Sequence, residues 1–241
     1  MDSKTIYVII PAAGKSVRMG GPVPKILMKI CDVPVIIRTL RAFDKPAGGY
    51  EFKAVVVTGE SLISEVEDLV REFGISCVSA IIKGGATRTE SVSLGVAHLK
   101  GICSPDDIVF VHDGARCLID QATISDCVDS MSVHDVCVAS VPVKSTIKIT
   151  RRADDGEMIV DNTPDRDCLA EVQTPQCFRY GILDECCSYA MENDVTATDD
   201  TALAEMLGYE VYLTKGSYFN IKITTTEDIP IAEEIIRQSC S

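Results

Sequence analysis

The chain has 241 residues, 46% of them hydrophobic, and a formal net charge of −13 at pH 7. This length is enough to bury one substantial core, so we expect a single domain over residues 1–241. The acidic balance argues against broad nucleic-acid binding, which requires a dominant basic face. Because no apolar run approaches about eighteen residues, we expect no membrane association.

The chain contains eleven cysteines and three histidines. The cysteines are scattered without a CxxC pair or a Cys/His cluster at zinc spacing, and Cys186 and Cys187 are adjacent, which is unsuited to a disulfide framework. The start of the sequence shows no secretory signal pattern. We therefore expect a cytoplasmic protein with reduced thiols.

Strand-like and helix-like segments alternate along the first 143 residues. Runs of β-branched and aliphatic residues predict strands over 5–10, 52–57, 75–82, 107–112 and 136–143. Apolar residues at three-to-four spacing predict helices over 32–43, 61–74, 88–99 and 121–131. This alternation predicts the α/β class, with one doubly wound, mainly parallel, Rossmann-like sheet.

The pattern changes after residue 143, where residues 144–163 predict two short strands around an Asp-Asp-Gly turn. An isolated hairpin is rarely stable, and no internal apolar partner is evident for this one. We therefore expect residues 144–176 to form a projecting β-arm that pairs with another subunit. Farther on, we expect a helix over 180–193, strands over 210–215 and 219–224, and a C-terminal helix over 226–238 with Thr226 as its N-cap.

The first loop, from Pro11 to Lys25, follows an apolar run and is rich in glycine and proline. Glycine and alanine let several backbone N–H groups approach one anion, and Lys15, Arg18 and Lys25 add charged donors. This combination favours a polyphosphate ligand. The alternative is a plain surface turn with solvated basic side chains.

Two familiar nucleotide motifs are excluded by spacing in this loop. A Walker A loop needs a glycine five positions before Gly14, where this chain has Ile9. A dinucleotide fingerprint needs closely spaced glycines, whereas the next ones after Gly14 are Gly20 and Gly21. A P-loop enzyme and a nicotinamide dehydrogenase are therefore both disfavoured.

Two later loops are expected at the same edge of the sheet, because the carboxyl ends of parallel strands meet there. In KGGATRTESV, a double glycine suits flat packing against a nucleobase, and polar contacts follow at a helix start; the alternative is an ordinary helix-entry turn. The residues concerned are Gly84, Gly85, Arg88 and Ser91.

The sequence HDGAR follows the fourth predicted strand. Asp113 can bind a divalent cation, preferably Mg²⁺, or a substrate hydroxyl. Gly114 admits close approach, and Arg116 can hold neighbouring structure or a phosphate. A structural pair between Arg116 and Asp113 is the alternative.

Lys222 lies between Ile221 and Ile223 in an expected late strand. Its side chain therefore points to the face that the isoleucines do not occupy. It either faces the crevice or is a solvated lysine on an edge strand.

Seven motifs in this order span nearly the whole chain: PAAGKSVRM…PKIL, GG-x-x-R-x-x-S, HDGAR, VPVKSTIK, R-x-x-L-x-x-x-QTPQ-x-F, TATDD and NIKIT. Each motif is weak, but the set resembles the 2-C-methyl-D-erythritol 4-phosphate cytidylyltransferases of the non-mevalonate route to isoprenoids. Ribitol-5-phosphate cytidylyltransferases share most of these motifs and are the first alternative. A nucleotide-binding domain without turnover is a more distant one.

The resemblance implies CTP and a polyol phosphate as substrates, a divalent cation such as Mg²⁺, and a homodimer that exchanges its arms. It implies that the first loop wraps the triphosphate through Pro11, Ala12, Ala13, Gly14 and Lys15, and that Gly84, Gly85, Arg88 and Ser91 contact the cytidine. It implies that Asp113 lies near the metal and the acceptor, and that Thr146 helps hold the acceptor phosphate. The candidate catalytic residues are Arg18, Lys25, Arg166 and Lys222.

Three positions depart from the family pattern. Cys117 stands where proline usually follows HDGAR, and Ala170 stands where tryptophan is frequent; we expect both to alter packing only. Ser145 replaces an aspartate beside Thr146, the residue implied to hold the acceptor phosphate. The identity of the acceptor therefore needs a direct test.

Overall fold

A computed structural model describes residues 4–14 and 23–239 of the chain. The strands are β1 (Lys4–Pro11), β2 (Lys29–Ile30), β3 (Val33–Pro34), β4 (Tyr50–Thr58), β5 (Val78–Lys83), β6 (Ile108–Val111), β7 (Val136–Pro142), β8 (Ile149–Arg152), β9 (Met158–Asn162), β10 (Ala170–Arg179) and β11 (Tyr212–Lys215). The helices are α1 (Val35–Phe43), α2 (Ile63–Glu72), α3 (Arg88–His98), α4 (Gln121–Ser130), α5 (Tyr180–Glu192), α6 (Asp200–Met206) and α7 (Asp228–Ser239).

A seven-stranded sheet in the order β11-β7-β10-β6-β1-β4-β5 forms the centre of the fold. Neighbouring strands pair in parallel except for β10, which is antiparallel to both β6 and β7. The predicted α/β class with a mainly parallel sheet is therefore confirmed.

Strand β1 lies in the middle of this sheet and is apolar on both faces. Ile6, Val8 and Ile10 pack with α1, α2 and α4 on one side, and Ile9 packs with α3, α5 and α6 on the other. Successive side chains of a strand point to opposite faces, and helices cover both faces of a parallel sheet. This is why β1 is an unbroken apolar run and not an alternating one.

The expected strands and helices of the first 143 residues are all present, with ends that differ by a few residues. The expected helix over 32–43 begins only at Val35, because Val33–Pro34 pairs with Lys29–Ile30 as a small antiparallel ladder.

Strand β10 was not predicted, and it inserts between β6 and β7. Three of its buried positions carry polar residues, namely Gln173, Thr174 and Gln176, which interrupts the apolar run expected of a central strand. Residues 170–176, which we assigned to the arm, are therefore part of the central sheet.

The prediction of a strand over 219–224 is wrong, because this segment pairs with no strand of the described structure. Ile223 is buried, and its N–H donates to the carbonyl of Ala115 at 2.8 Å. Single hydrogen bonds to the loop after β6 thus hold an irregular segment in place. The C-terminal helix begins at Asp228, two residues after Thr226, and the Asp228 carboxylate accepts from the N–H groups of Thr224 and Thr225.

The predicted hairpin is present as β8 and β9, which pair with each other outside the main sheet. Gly156 completes the Asp-Asp-Gly turn with φ of +88°, a conformation that favours glycine. Ile149, Met158 and Val160 are exposed on the two strands. Exposed apolar side chains on a separate hairpin suit pairing with another chain, and this role stays a prediction.

Cysteine side chains in the described residues are free thiols, and most of them are buried in the manner of small hydrophobic residues. Within residues 4–14 and 23–239, no helix has the length and apolar character that a membrane span requires.

Candidate functional site

A cavity of about 290 Å³ opens at the carboxyl ends of the parallel strands, where the switch-point rule places ligands. The loops after β1, β5 and β6 converge on it, as predicted. Its lining residues are Pro11, Ala12, Ala13, Gly14, Lys25, Ile26, Gly85, Ala86, Thr87, Arg88, Ser91, Asp113, Ala115 and Lys222.

The first loop forms one wall of the cavity. The N–H of Ala12 donates to the Val57 carbonyl at 2.7 Å, which continues the β1–β4 pairing into the loop. A Cβ added to Gly14 would meet no atom of the described residues within 4 Å. Lys25 lines the cavity from the short 3-10 turn Lys25–Leu27. Lys15 and Arg18 lie outside the described residues.

The loop after β5 forms the opposite wall. A Cβ on Gly84 would lie 2.6 Å from the Cβ of Ala13, so only glycine lets the two loops pack this closely. The Ser91 hydroxyl accepts from the Gly85 N–H at 3.1 Å and donates to the Thr87 carbonyl at 2.9 Å. Ser91, a residue of helix α3, thus holds the backbone of this loop through its hydroxyl group.

The turn into α3 is closed by a capping box. Thr87 accepts from the Glu90 N–H, and the Glu90 carboxylate accepts from the N–H groups of Thr87 and Ala86. Reciprocal bonds of this kind satisfy the free donors at a helix start. They place Arg88, the first residue of α3, at the rim of the cavity.

A cluster of opposite charges occupies the floor of the cavity around Asp113. Its Oδ2 lies 2.8 Å from Lys222 Nζ and 3.7 Å from Arg116 Nε, and its Oδ1 lies 3.2 Å from Arg88 Nε. Burial alone raises the pKa of Asp113, but the charges of Arg88 and Lys222 outweigh burial and hold this pKa well below the usual carboxyl range. Asp113 is therefore ionised at neutral pH, and two cations are held at the cavity wall.

A buried hydrogen-bond chain supports Asp113 from behind. His112 Nε2 contacts the Arg116 carbonyl at 3.1 Å, so this nitrogen carries the proton, because a carbonyl can only accept. Nδ1 then accepts from the Thr174 hydroxyl at 2.9 Å, and the Thr174 oxygen accepts from the Asp113 N–H at 3.2 Å. Burial lowers the pKa of His112 to about 4, so the ring is neutral at pH 7.

The segment that carries Lys222 is fastened by two polar side chains of neighbouring elements. Arg116 Nη1 donates to the Asn220 carbonyl at 2.7 Å. The Asn220 amide donates to the Thr174 carbonyl at 2.9 Å, and the Gln173 amide donates to the Ser217 carbonyl at 2.9 Å. Arg116 is not among the residues that line the cavity. Of the two roles that the sequence left open for it, the structure shows the holding of a neighbouring segment.

Besides Arg116, four candidates lie outside the cavity lining: Gly84, Gly114, Thr146 and Arg166. Gly114 packs behind it, where an added Cβ would be 3.2 Å from that of Ala12. Arg166 and Thr146 are exposed near the hairpin, and Arg166 Nη2 donates to the Thr146 hydroxyl at 3.3 Å. Within the described part of the chain, these two residues are therefore not brought to the charged cluster.

Sequence reasoning gave no role to Asp200, Thr174, His112 or Gln176. Asp200 is buried, and its Oδ2 lies 2.8 Å from Arg88 Nη1. The signal available was the TATDD and QTPQ motifs, where polar residues occupy positions that the fold buries. Nothing in their spacing indicated which partners they meet.

Metal binding by protein groups alone is not supported in the described residues, where no cluster of three or more His, Cys, Asp or Glu side chains is suited to hold an ion. Asp113 is the acidic residue of the cavity lining. A carboxylate offers about four acceptor positions, so Asp113 keeps capacity beyond its contacts with Arg88 and Lys222. Since Mg²⁺ is often held by one carboxylate together with substrate phosphates, the site fits such an ion.

Comparisons with known proteins agree over nearly the whole chain. The family model described as 2-C-methyl-D-erythritol 4-phosphate cytidylyltransferase matches residues 6–238. Proteins of that name from Alkaliphilus oremlandii and Syntrophotalea carbinolica are 40% and 36% identical; the alignments cover 98% and 96% of this chain and 96% of each relative.

Solved structures give the same result. The 4-diphosphocytidyl-2C-methyl-D-erythritol synthase of Anaerococcus prevotii has a TM-score of 0.81 and 26% identity, covering 98% of this chain and 97% of that one. The 2-C-methyl-D-erythritol 4-phosphate cytidylyltransferase of Francisella tularensis has a TM-score of 0.77 and 27% identity, covering 96% and 99%. Family match, sequence identity and fold together show that this chain belongs to the 2-C-methyl-D-erythritol 4-phosphate cytidylyltransferase family.

Proposed function

We propose that the protein transfers the cytidylyl group of CTP to 2-C-methyl-D-erythritol 4-phosphate, giving 4-diphosphocytidyl-2-C-methyl-D-erythritol and pyrophosphate. The observation that carries this proposal is the cavity between two glycine-containing loops, with Lys25, Arg88 and Lys222 in its lining. Such a site suits a nucleotide triphosphate beside a second phosphate. The names of the relatives favour the methylerythritol acceptor over ribitol 5-phosphate.

In the proposed reaction, an oxygen of the acceptor phosphate attacks the α-phosphorus of CTP in line. The bond from the α-phosphorus to its bridging oxygen breaks, and pyrophosphate leaves with that oxygen. An acceptor phosphate is already a competent nucleophile near neutral pH, so no general base is required. Catalysis is then positioning and charge stabilisation, which agrees with a site built on lysine and arginine.

The parts of the site divide between the two substrates. The first loop, with Arg18 and Lys25, binds the triphosphate and stabilises the charge that develops on it. The loop that contains Gly84 and Gly85, with Arg88 and Ser91 at the start of α3, forms the cytidine side. Lys222, held by Asp113 at 2.8 Å, positions the acceptor phosphate.

Asp113 would hold a Mg²⁺ ion together with phosphate oxygens of CTP. The ion, when bound, neutralises charge on the phosphates. The contribution of the chain is the ionised carboxylate, whose low pKa keeps it available at neutral pH.

The proposed active protein is a cytoplasmic homodimer that exchanges its hairpin arms and binds neither nucleic acid nor membranes. Arg166 and Thr146 flank the hairpin in sequence, contact each other and are not among the residues that line the cavity of their own chain. In a dimer with exchanged arms, they would reach the acceptor phosphate in the partner's cavity. The pairing of the two residues at 3.3 Å supports their acting together.

The first test is pyrophosphate release with CTP and Mg²⁺, comparing 2-C-methyl-D-erythritol 4-phosphate with ribitol 5-phosphate. Strong preference for the first acceptor supports the proposal. Preference for the second would keep the nucleotide chemistry and change the acceptor, and release with neither would indicate a nucleotide-binding domain without turnover.

Single variants test the basic residues of the first loop. Arg18→Ala and Lys25→Ala should each lower kcat by about 10²–10³ with a smaller change in KM for CTP, as for the loss of one charge-stabilising donor. Arg71→Ala is the matched control, because it removes an exposed arginine whose partner is Asp68 on helix α2. Near-normal turnover in both loop variants would contradict the assigned roles.

A further inference from the structure

Arg88 is held by two carboxylates that come from different parts of the fold. Its Nε lies 3.2 Å from Asp113 Oδ1, and its Nη1 lies 2.8 Å from Asp200 Oδ2. Contacts on two separate nitrogens define the plane of the guanidinium group, since the five donors of arginine form a rigid fork. The orientation of Arg88 in the cavity wall therefore depends on Asp200 as much as on Asp113.

Asp200 itself is only 3% exposed and is not among the residues that line the cavity. It is the first residue of α6, and its N–H donates to Gln176 Oε1 at 2.8 Å. The same oxygen accepts from the Thr201 N–H at 3.2 Å, and Gln176 is buried in β10. Asp200 is thus a fixed, buried carboxyl group outside the cavity lining.

Burial of a carboxylate is costly unless a partner compensates for it. Burial raises the pKa of Asp200, whereas Arg88 opposes this rise. Burial lowers the pKa of Arg88, but the charges of Asp200 and Asp113 outweigh burial and raise it. The arginine, which is always charged, therefore favours the ionised form of Asp200. Loss of Asp200 would leave the Nη1 end of Arg88 without this partner.

The second carboxylate also limits how Arg88 uses Asp113. An arginine with a single carboxylate partner often binds both oxygens in a fork. Because Asp200 takes Nη1, Arg88 contacts Asp113 through Nε at Oδ1, and Oδ2 is left for Lys222 at 2.8 Å. Arg88 and Lys222 thus contact different oxygens of Asp113.

From this geometry we infer that Asp200 is a positioning residue for nucleotide binding, acting through Arg88. This inference rests on the proposed function, in which Arg88 forms the cytidine side of the site. Asp200 has no contact with the substrate in this mechanism. Its effect should appear in the affinity for CTP and should depend on the presence of Arg88.

The test measures CTP binding by calorimetry with Mg²⁺ and without acceptor. Asp200→Asn keeps the size of the side chain and removes its charge, and we expect Kd for CTP to rise about tenfold, a typical coupling for contacting groups. Asp200→Glu keeps the charge and should recover part of the affinity. In an Arg88→Met background, Asp200→Asn should cause no further loss, because its effect passes through Arg88.

Asp199→Ala is the matched control. Asp199 caps the same helix by accepting from the Ala202 N–H at 2.9 Å, so its loss destabilises α6 without removing the partner of Arg88. We expect this variant to melt at a lower temperature and to bind CTP within about twofold of the natural chain, since loss of a cap costs stability and not a ligand contact.

If Asp200→Asn does not fold, Gln176→Met replaces it as the test. This change removes the acceptor that fixes the backbone of Asp200 and leaves the carboxylate in place. We expect Kd to rise about threefold, because the coupling is then indirect. An unchanged Kd in a folded Asp200→Asn or Gln176→Met variant would overturn the inference, as would equal losses with and without Arg88. Failure of the natural chain to bind CTP would instead refute the proposed function.

Discussion

Acidification should destabilise the protein through His112, whose ring is fully buried and neutral. Burial lowers the pKa of His112 from 6.5 to about 4 in the folded state. The unfolded chain therefore binds more protons between these two pH values, so stability rises with pH there. The contribution of His112 is fully present above pH 6.5 and is lost as the pH falls toward 4.

The magnitude follows from the two pKa values. With one pH unit worth about 1.4 kcal/mol, the free energy of unfolding should fall by about 2 kcal/mol between pH 8 and pH 5 and by about 3 kcal/mol at pH 4. The structural cause is the Nδ1 atom, which accepts from the Thr174 hydroxyl and would have to become a donor on protonation.

The assay is urea unfolding at pH 8 and pH 5, without nucleotide or metal, for the natural chain and for His112→Gln. Glutamine does not titrate, so the variant reports the acid sensitivity of all other groups. The natural chain should lose about 2 kcal/mol more than the variant over this interval. Equal losses in the two proteins would refute the reasoning, because His112 would then not be held in its neutral form.

Three further changes are predicted to have separable effects. Thr174→Val leaves the Asp113 N–H and the His112 ring without their shared partner, and it should lower the free energy of unfolding in urea by about 2–4 kcal/mol. Thr174→Ser keeps the hydroxyl and should lower it by less than half as much. Equal losses in the two variants would contradict the hydrogen-bond chain. Lys222→Met should lower kcat by about 10²–10³ in the folded variant, and it should also lower the melting temperature because Asp113 loses an ion-pair partner. Turnover within about threefold would remove Lys222 from the mechanism. Gly95→Ala should destabilise the fold by about 1–3 kcal/mol, because the added Cβ would lie 2.6 Å from Ile9 Cγ2 between α3 and β1. A more stable variant would contradict this prediction, because it would show that the core repacks around the added methyl group.

The alternating apolar segments of the first 143 residues were sufficient to predict five strands of the central sheet, β1, β4, β5, β6 and β7, and the loops that follow them. Local periodicity reports which side of each element is buried, and parallel strands with crossover helices leave few other arrangements. The same rule placed the loops after β1, β5 and β6 at one edge, so most cavity residues were predictable.

The position of β10 could be decided only by the tertiary structure. Its polar side chains are buried because neighbouring segments supply partners for them, as Gln176 does for the start of α6 and Thr174 for Asp113. Periodicity cannot predict partners that are 24 or 61 residues away. For this reason the sequence predicted residues 174–176 only as the end of the arm.

The charged cluster shows the same division. Residue types and motifs predicted Asp113, Arg88 and Lys222 as site residues, and all three line the cavity. The expected strand around Lys222 is instead an irregular segment. Only the folded chain decided that Arg88 bridges Asp113 and Asp200 and that Arg116 lies behind the cavity. The physical reason is that an apolar pattern depends only on residues close together in the sequence. The pairing of buried charges depends instead on which distant segments the packed core brings within hydrogen-bond distance.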